Sequence, residues 1–240
     1  MCDCEARLAD FERRLEQEKL AALMELAYGA GHEINNPLAN IAARAQTLLE
    51  DEPNPERRRK LKAIHRQAMR AHEMIADLML FARPPKLEIA ALDLRQVVGQ
   101  VVDEQREQAA ERAIELTCDP VDSPIAIQGD ATQLAVAVAA VVTNALEAVG
   151  ANGHIAVLAR ERVEGEARSA EVIVRDDGPG ISEAVRRHLF DPFFSGREAG
   201  RGLGFGLSKC WRIVTEHGGT VVVNNVEGGG AEFTIELPIR

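Results

Sequence analysis

Six apolar residues, Leu61, Ile64, Ala68, Ala71, Ile75 and Leu78, recur at intervals of 3-4-3-4-3. This is heptad spacing. It predicts a helix whose apolar stripe packs against other helices. The preceding stretch carries the same rhythm: Leu20, Leu23, Ala27, Ala30 and Ile34 follow 3-4-3-4, and the stripe resumes, slightly displaced, as Leu38, Ile41, Ala45 and Leu48. Between the two lies DEPNPE, residues 51–56, whose prolines break the helix. A second helix begins near Glu56. Two amphipathic helices joined by a short loop form a hairpin, and one hairpin leaves its stripe largely uncovered. Two hairpins make a four-helix bundle, so the pattern predicts a homodimer. The basic run RRRKLKAIHRQAMR covers the solvent faces of the second helix or docks a partner.

The first helix contains an anomaly. GHEINNPL, residues 31–38, puts Pro37 in a helix interior, where proline costs roughly 3 kcal/mol. Ala30 and Ile34 are expected on the bundle side. His32, two residues from each, then points to the opposite side and is exposed. His65 and His72, also helical, read as surface residues.

Composition narrows the function classes. A net charge of −10 argues against a general nucleic-acid binder. No apolar run of about 18 residues is evident, so no membrane span is expected. The charged N-terminus lacks a signal-peptide core, and a cytoplasmic location is expected. Only about 20 residues precede the hairpin, too few for a sensory domain. Cys2 and Cys4 form a C-x-C pair, whereas Cys118 and Cys210 stand alone. Zinc would need more ligands at suitable spacing, which leaves free thiols or a crosslink through Cys2 and Cys4.

Residues 1–19 read as a helical lead-in, 20–83 as the hairpin and 84–92 as a linker stiffened by Pro84 and Pro85. Residues 93–240 read as a second domain. A helix from about Asp93 to Arg112 leads to strands at IELTCD and SPIAIQGD, and a helix from about Ala131 to Val149 follows. Strands at HIAVLARERV and AEVIVRDDG precede a helix after Leu207 and two closing strands, TVVVNNV and AEFTIELPI. Successive strands with helices on one face predict an α+β sandwich.

Three stretches of this domain carry candidate chemistry. Asn144 and Glu147 lie a turn apart in VVTNALEAVG, and an amide oxygen is a hard ligand suited to Mg²⁺. VRDDGPGI ends a strand with Asp176, Asp177, Gly178 and Gly180, a tight turn that a ligand can approach closely. Taken alone it is an ordinary Asp-Gly turn. Gly202, Gly204 and Gly206 alternate just before a helix, where backbone amides and a helix N-terminus suit phosphate. It is not a Walker loop. Between them, LFDPFFSGRE is too apolar for a passive loop and suggests a lid.

In this order and spacing the stretches resemble the sensor histidine kinases of two-component systems. GHEINNPLANI resembles their H box, TNALEA the N box, DDGPGI and GLGFGLS the two glycine boxes, and FDPFF the phenylalanine box. The resemblance covers nearly all of residues 20–240. It implies a dimerisation and phosphotransfer hairpin followed by an ATP-binding sandwich of the gyrase, Hsp90 and MutL type, the Bergerat fold. It also implies that Asn144 binds Mg²⁺ and Asp176 the adenine amine of ATP. Gly178, Gly180, Gly202, Gly204 and Gly206 would shape the nucleotide pocket and lid, and Arg197 would contact phosphate. One departure stands at Ala140, where relatives often carry a second polar residue four positions before the metal-binding Asn. The glutamate that activates water in gyrase-type ATPases is also missing.

The resemblance gives the H box its chemistry. An exposed neutral imidazole is a good nucleophile near neutral pH. His32 is then the phosphoacceptor, Glu33 the general base, and Asn36, one turn on, a water-orienting group for regulator phosphatase activity or simply an exposed amide. The phosphoryl group would pass to an aspartate in the receiver domain of a separate response regulator, under input from an upstream sensor domain or sensor partner. The competing readings are a degenerate kinase that binds nucleotide without transfer, favoured by Ala140, and a gyrase-like clamp. Pro37 would supply a bend beside His32.

Overall fold

The computed structural model describes residues 2–82, 85–119, 123–165, 167–191, 194 and 204–239. Most side chains before Tyr28, those of residues 77, 78 and 80–82, and that of residue 167 lie outside the description. Cys2 and Cys4 are among them. The chain divides into two compact units, Met1–Pro85 and Lys86–Arg240.

In the first unit, α1 (Cys2–Glu50) runs unbroken through Pro37, and α2 (Pro55–Ala82) returns against it. Asn54 caps α2: the amides of Glu56 and Arg57 donate to its Oδ1 at 2.9 and 3.1 Å. The apolar stripe is not a single surface. Gly31, Ala42, Ala45 and Leu49 are buried in the hairpin seam, whereas Ile34, Ile41 and Leu48 are 45, 46 and 61% exposed. Ala30, expected on the bundle side, is exposed as well. The reason is geometric. A hairpin buries only the side of α1 that faces α2, so an apolar band wider than that seam keeps one edge exposed. Ile34, Ile41 and Leu48 sit seven residues apart and form the second edge of that band.

His65 and His72, expected on the surface, are half-buried. His65 Nδ1 lies 3.1 Å from the Ala42 carbonyl oxygen and joins the two helices. His72 Nδ1 and Asn35 Oδ1 are buried, each without a hydrogen-bond partner among the described residues.

The second unit is built on a five-stranded sheet in the order β2-β4-β5-β7-β6. Its strands are β2 (Glu115–Cys118), β4 (His154–Glu164), β5 (Ala167–Asp176), β6 (Thr220–Asn225) and β7 (Ala231–Pro238). Only the β2–β4 pair is parallel. Strand alternation points one face at the helices: Ala231, Phe233, Ile235 and Leu237 of β7 are buried, with their neighbours less so. They pack with Val98 and Val102 of α3 (Leu94–Glu111), Val138 and Val142 of α4 (Ala131–Val149), and Val214 of α6 (Gly206–Glu216) in one core.

Three sequence expectations change here. Residues 90–92, read as linker, form β1 (Ala90–Asp93), which pairs antiparallel with β3 (Ala126–Gly129). A short helix, α5 (Glu183–Arg186), follows the Asp-Gly turn. Finally, α4 is long and apolar enough, by length and composition, to cross a membrane, with a mean hydropathy of 1.5. Its apolar face is core: Leu134, Ala137, Val138, Val141, Val142, Ala145 and Leu146 are buried against the sheet and neighbouring helices.

Candidate functional site

The candidate residues fall into two groups, one in each unit. On the hairpin, His32, Glu33 and Asn36 are all exposed, as the sequence predicts for His32. The Tyr28 ring, one turn earlier, meets the His32 imidazole edge-on, with centroids 4.8 Å apart and planes at 88°. This contact restrains the ring while leaving it accessible. Pro37 is exposed and has no N–H, so the Glu33 carbonyl loses its helical partner one turn above.

In the second unit, β5 ends at Asp176, which is 3% exposed. Its Oδ1 accepts from the Gly178 amide at 2.9 Å and the Ala231 amide at 3.2 Å. Both bonds fall on one oxygen, so Oδ2 faces no protein donor among the described residues. Burial pushes the Asp176 carboxyl above the usual aspartate range, and neighbouring Asp177 adds to this, while the two amides oppose it. Asp177 has a structural job instead: its Oδ2 accepts from the His154 amide at 2.9 Å.

The glycines of the turn are needed for close packing. A Cβ at Gly178 would lie 2.9 Å from Asp176 Oδ1 and 3.3 Å from the Ala148 carbonyl carbon, so the turn rests on the end of α4. Gly180 has φ +74, and Asn225 brackets the next residue, accepting from the Ile181 amide and donating to its carbonyl, both at 2.8 Å. Gly204 has φ +73, and a Cβ there would collide with the Phe194 backbone. α6 begins at Gly206, and its N-cap residue, Phe205, makes no side-chain cap bond. Phe205 therefore offers the first-turn amides of α6 no side-chain acceptor, and such amides at a helix N-terminus suit phosphate. Arg197 and Gly202 lie outside the described residues.

Asn144 is half-buried near the C-terminal end of α4, with Ala140 one turn before it. Among the described residues no cluster of three or more His, Cys, Asp or Glu side chains forms a metal cage. A single amide oxygen fits Mg²⁺ that is carried mainly by substrate phosphate and water. Sequence reasoning missed Gly230 and Ala231. Gly230, at φ +91, presses against the Asp176 backbone so closely that a Cβ would collide with it, and this brings the Ala231 amide to the carboxylate. The signal was the GGGA run, which reads as a hairpin loop.

Comparison with known proteins decides the family. Residues 22–86 match the His Kinase A (phospho-acceptor) domain, and residues 129–240 match the histidine kinase-, DNA gyrase B- and HSP90-like ATPase family. The chain belongs to the sensor histidine kinases. It is 34% identical to the sensor histidine kinase ZraS of Klebsiella oxytoca over 230 residues, which cover 95% of this chain and 49% of the relative. The chain thus spans about half the length of the curated relatives it matches. The crystal structure of full-length ShkA in complex with AMPPNP superposes with a TM-score of 0.74 at 25% identity, covering 89% of this chain and 45% of that one. That of the histidine kinase ThkA in complex with the response regulator TrrA superposes with a TM-score of 0.67 at 25% identity, covering 97% of this chain and 66% of that one. Within this family the helical hairpin is the phospho-acceptor type of domain and the α/β sandwich the ATPase type.

Proposed function

We propose that this histidine kinase chain transfers the γ-phosphoryl group of ATP to His32 and then to an aspartate of a separate response regulator. One observation carries the reading: a single chain holds both an exposed, ring-restrained histidine and a nucleotide unit whose Asp176 presents one uncommitted carboxylate oxygen. That oxygen accepts the adenine amine. The α6 N-terminus and the Gly204 turn receive the phosphates. Asn144 would hold Mg²⁺, which neutralises phosphate charge. One imidazole nitrogen of His32 bonds to the γ-phosphorus as the β,γ-bridging P–O bond breaks, releasing ADP. Glu33 accepts the proton from the other ring nitrogen. Positioning supplies most of the rate. The AMPPNP and response-regulator complexes of the two structural relatives support the nucleotide and the partner.

The exposed Ile34, Ile41 and Leu48 edge, with Ile64 of α2, supports burial against a second hairpin, hence a homodimer. The input comes from an upstream sensor domain or a sensor partner, a reading supported by the greater length of the relatives. The ATP requirement supports a cytoplasmic location for both units.

The test is incubation with γ-labelled ATP and Mg²⁺. Acid-labile, base-stable label on the protein is expected. Tight nucleotide binding without label would replace this reading with the degenerate kinase, in which Ala140 beside Asn144 marks the lost polar group.

Asn36 shares the exposed face of His32, and its amide can orient water against a regulator's aspartyl phosphate. Asn36→Ala is expected to keep autophosphorylation within about two-fold and to slow regulator dephosphorylation about ten-fold. An unchanged dephosphorylation rate would assign Asn36 to the surface alone.

A further inference from the structure

His217 closes α6, yet its imidazole reaches beyond that helix. The residue is 8% exposed. Its Nδ1 lies 2.8 Å from the Ile213 carbonyl oxygen, and its Nε2 accepts from the Asp130 amide at 3.0 Å. The second bond fixes the tautomer: Nε2 carries no proton, so Nδ1 does and donates to Ile213. Asp130, the N-cap of α4, is itself held fast. Its Oδ1 accepts from the Gln133 amide at 3.1 Å and its Oδ2 from the Glu88 amide at 2.9 Å. Gly129 makes room for the contact, since a Cβ there would lie 3.3 Å from the His217 ring. The C-terminus of α6 is thus tied to the N-terminus of α4.

The end of α6 does not need this imidazole. Gly218, at φ +76, turns the chain, and the Gly219 amide donates to the Val214 carbonyl at 2.9 Å, which is how helices commonly stop. What the bond to Asp130 adds is register. α4 and α6 pack side by side, with Leu134 and Val138 of one and Cys210, Ile213 and Val214 of the other in the common core. Apolar contact is non-directional and does not by itself single out one offset along the helix axes. A buried polar tie does. Tied at His217 and packed along α4, α6 runs back antiparallel to it. α6 has 11 residues, about 16 Å at about 1.5 Å per residue. The same length of α4, counted from Asp130, ends near Val141, one turn before Asn144. The α6 N-terminus and the Asn144 amide therefore come nearly level. We propose that His217 is a positioning residue for the phosphates of the nucleotide: its bond to the Asp130 amide sets the axial position of α6 on α4, and so the offset between the α6 N-terminus and Asn144. This rests on the nucleotide reading above. Adenosine, held at Asp176, does not use that offset. The triphosphate with Mg²⁺ does.

The test compares two amide side chains. His217→Gln puts Oε1 near the position of Nε2 and keeps an acceptor for the Asp130 amide, whereas His217→Asn is one methylene shorter and reaches only its own helix. The full chain is titrated with ATP and with adenosine, both in Mg²⁺. In His217→Asn the ratio of ATP to adenosine affinity is expected to fall about ten-fold, the worth of about one misaligned charge-assisted hydrogen bond, with adenosine affinity within about two-fold of wild type. His217→Gln should keep the wild-type ratio within about two-fold. A general loosening of the fold would weaken both ligands alike and leave the ratio unchanged. An unchanged ratio in His217→Asn, or an equal fall in both variants, would overturn the proposal. The tie is also readable without any variant: nitrogen NMR of the wild type should place the His217 proton on Nδ1, and a proton on Nε2 would overturn the proposal. Wild-type protein that binds neither ligand would overturn the nucleotide reading and this proposal with it, whereas normal wild-type binding with an unchanged ratio in His217→Asn would overturn the proposal alone.

Discussion

His32→Gln is expected to abolish phosphorylation of the chain by ATP. Glutamine has no nucleophilic ring nitrogen, and nothing else on the exposed face around Tyr28 and Asn36 replaces it. The loss should exceed about a thousand-fold, since removing a nucleophile removes the step rather than slowing it. The fold should not suffer. The position is exposed on a helix, where such substitutions stay within about 0.5 kcal/mol, and glutamine is at least as good a helix former as histidine. Nucleotide affinity should be unchanged, because the pocket lies in the other unit. Measuring label incorporation, ATP-analogue affinity and the unfolding midpoint together isolates the chemistry. A variant with normal binding, normal stability and undiminished label would remove His32 from the mechanism.

Asp176→Asn is expected to cost about a hundred-fold in nucleotide affinity while leaving the protein as stable or more stable. Asparagine keeps an oxygen for the Gly178 and Ala231 amides, so the turn and the β5 end survive. The oxygen meant for the adenine amine becomes an NH₂, and two donors face one another. Losing a hydrogen bond to a charged group alone accounts for about 1.5–3 kcal/mol. The stability effect follows from the raised carboxyl. In the unfolded chain the group ionises near about 3.9, before it does in the fold. Ionisation therefore weakens the native state increasingly above that pH, and the penalty persists once the folded value is passed. The variant escapes it, so its stability advantage should appear at pH 7 and vanish below about pH 4. Titration with a fluorescent ATP analogue and thermal unfolding at both pH values check the two halves. Wild-type affinity in the variant would contradict the adenine role of Asp176.

Much of this was legible because the relevant signals are local. The bounds of α4 follow from its Asp130 cap and the Gly150 stop, both visible in the sequence. The end of β5 at Asp176 follows from the Gly-Pro-Gly that comes after it. What was hidden depends on distant partners. β1 looked like linker because it lies just beyond Pro84-Pro85, and its strand character comes from pairing with β3, 36 residues on. His65 looked like a surface residue because heptad reading weighs apolar positions and cannot see a bond to Ala42 across the hairpin. Ile34 and Ile41 were read on one stripe with Ala45 because spacing gives a stripe but not which of its residues face the other helix of the hairpin. Asp130 caps α4 with one oxygen, while its other oxygen is held by the Glu88 amide, 42 residues away, which no local signal shows.

The most direct test of the account is to locate the phosphoryl group. Wild-type protein incubated with ATP and Mg²⁺ is cleaved at neutral pH, where phosphohistidine survives, and the modified peptide is sequenced by mass spectrometry. Cleavage after Lys19, Arg44, Lys62 and Arg66 separates His32 from His65 and His72. The account predicts one modified peptide, residues 20–44, with the phosphoryl group on His32. Phosphate on His65, His72 or any other side chain, with the His32 peptide unmodified, would contradict it.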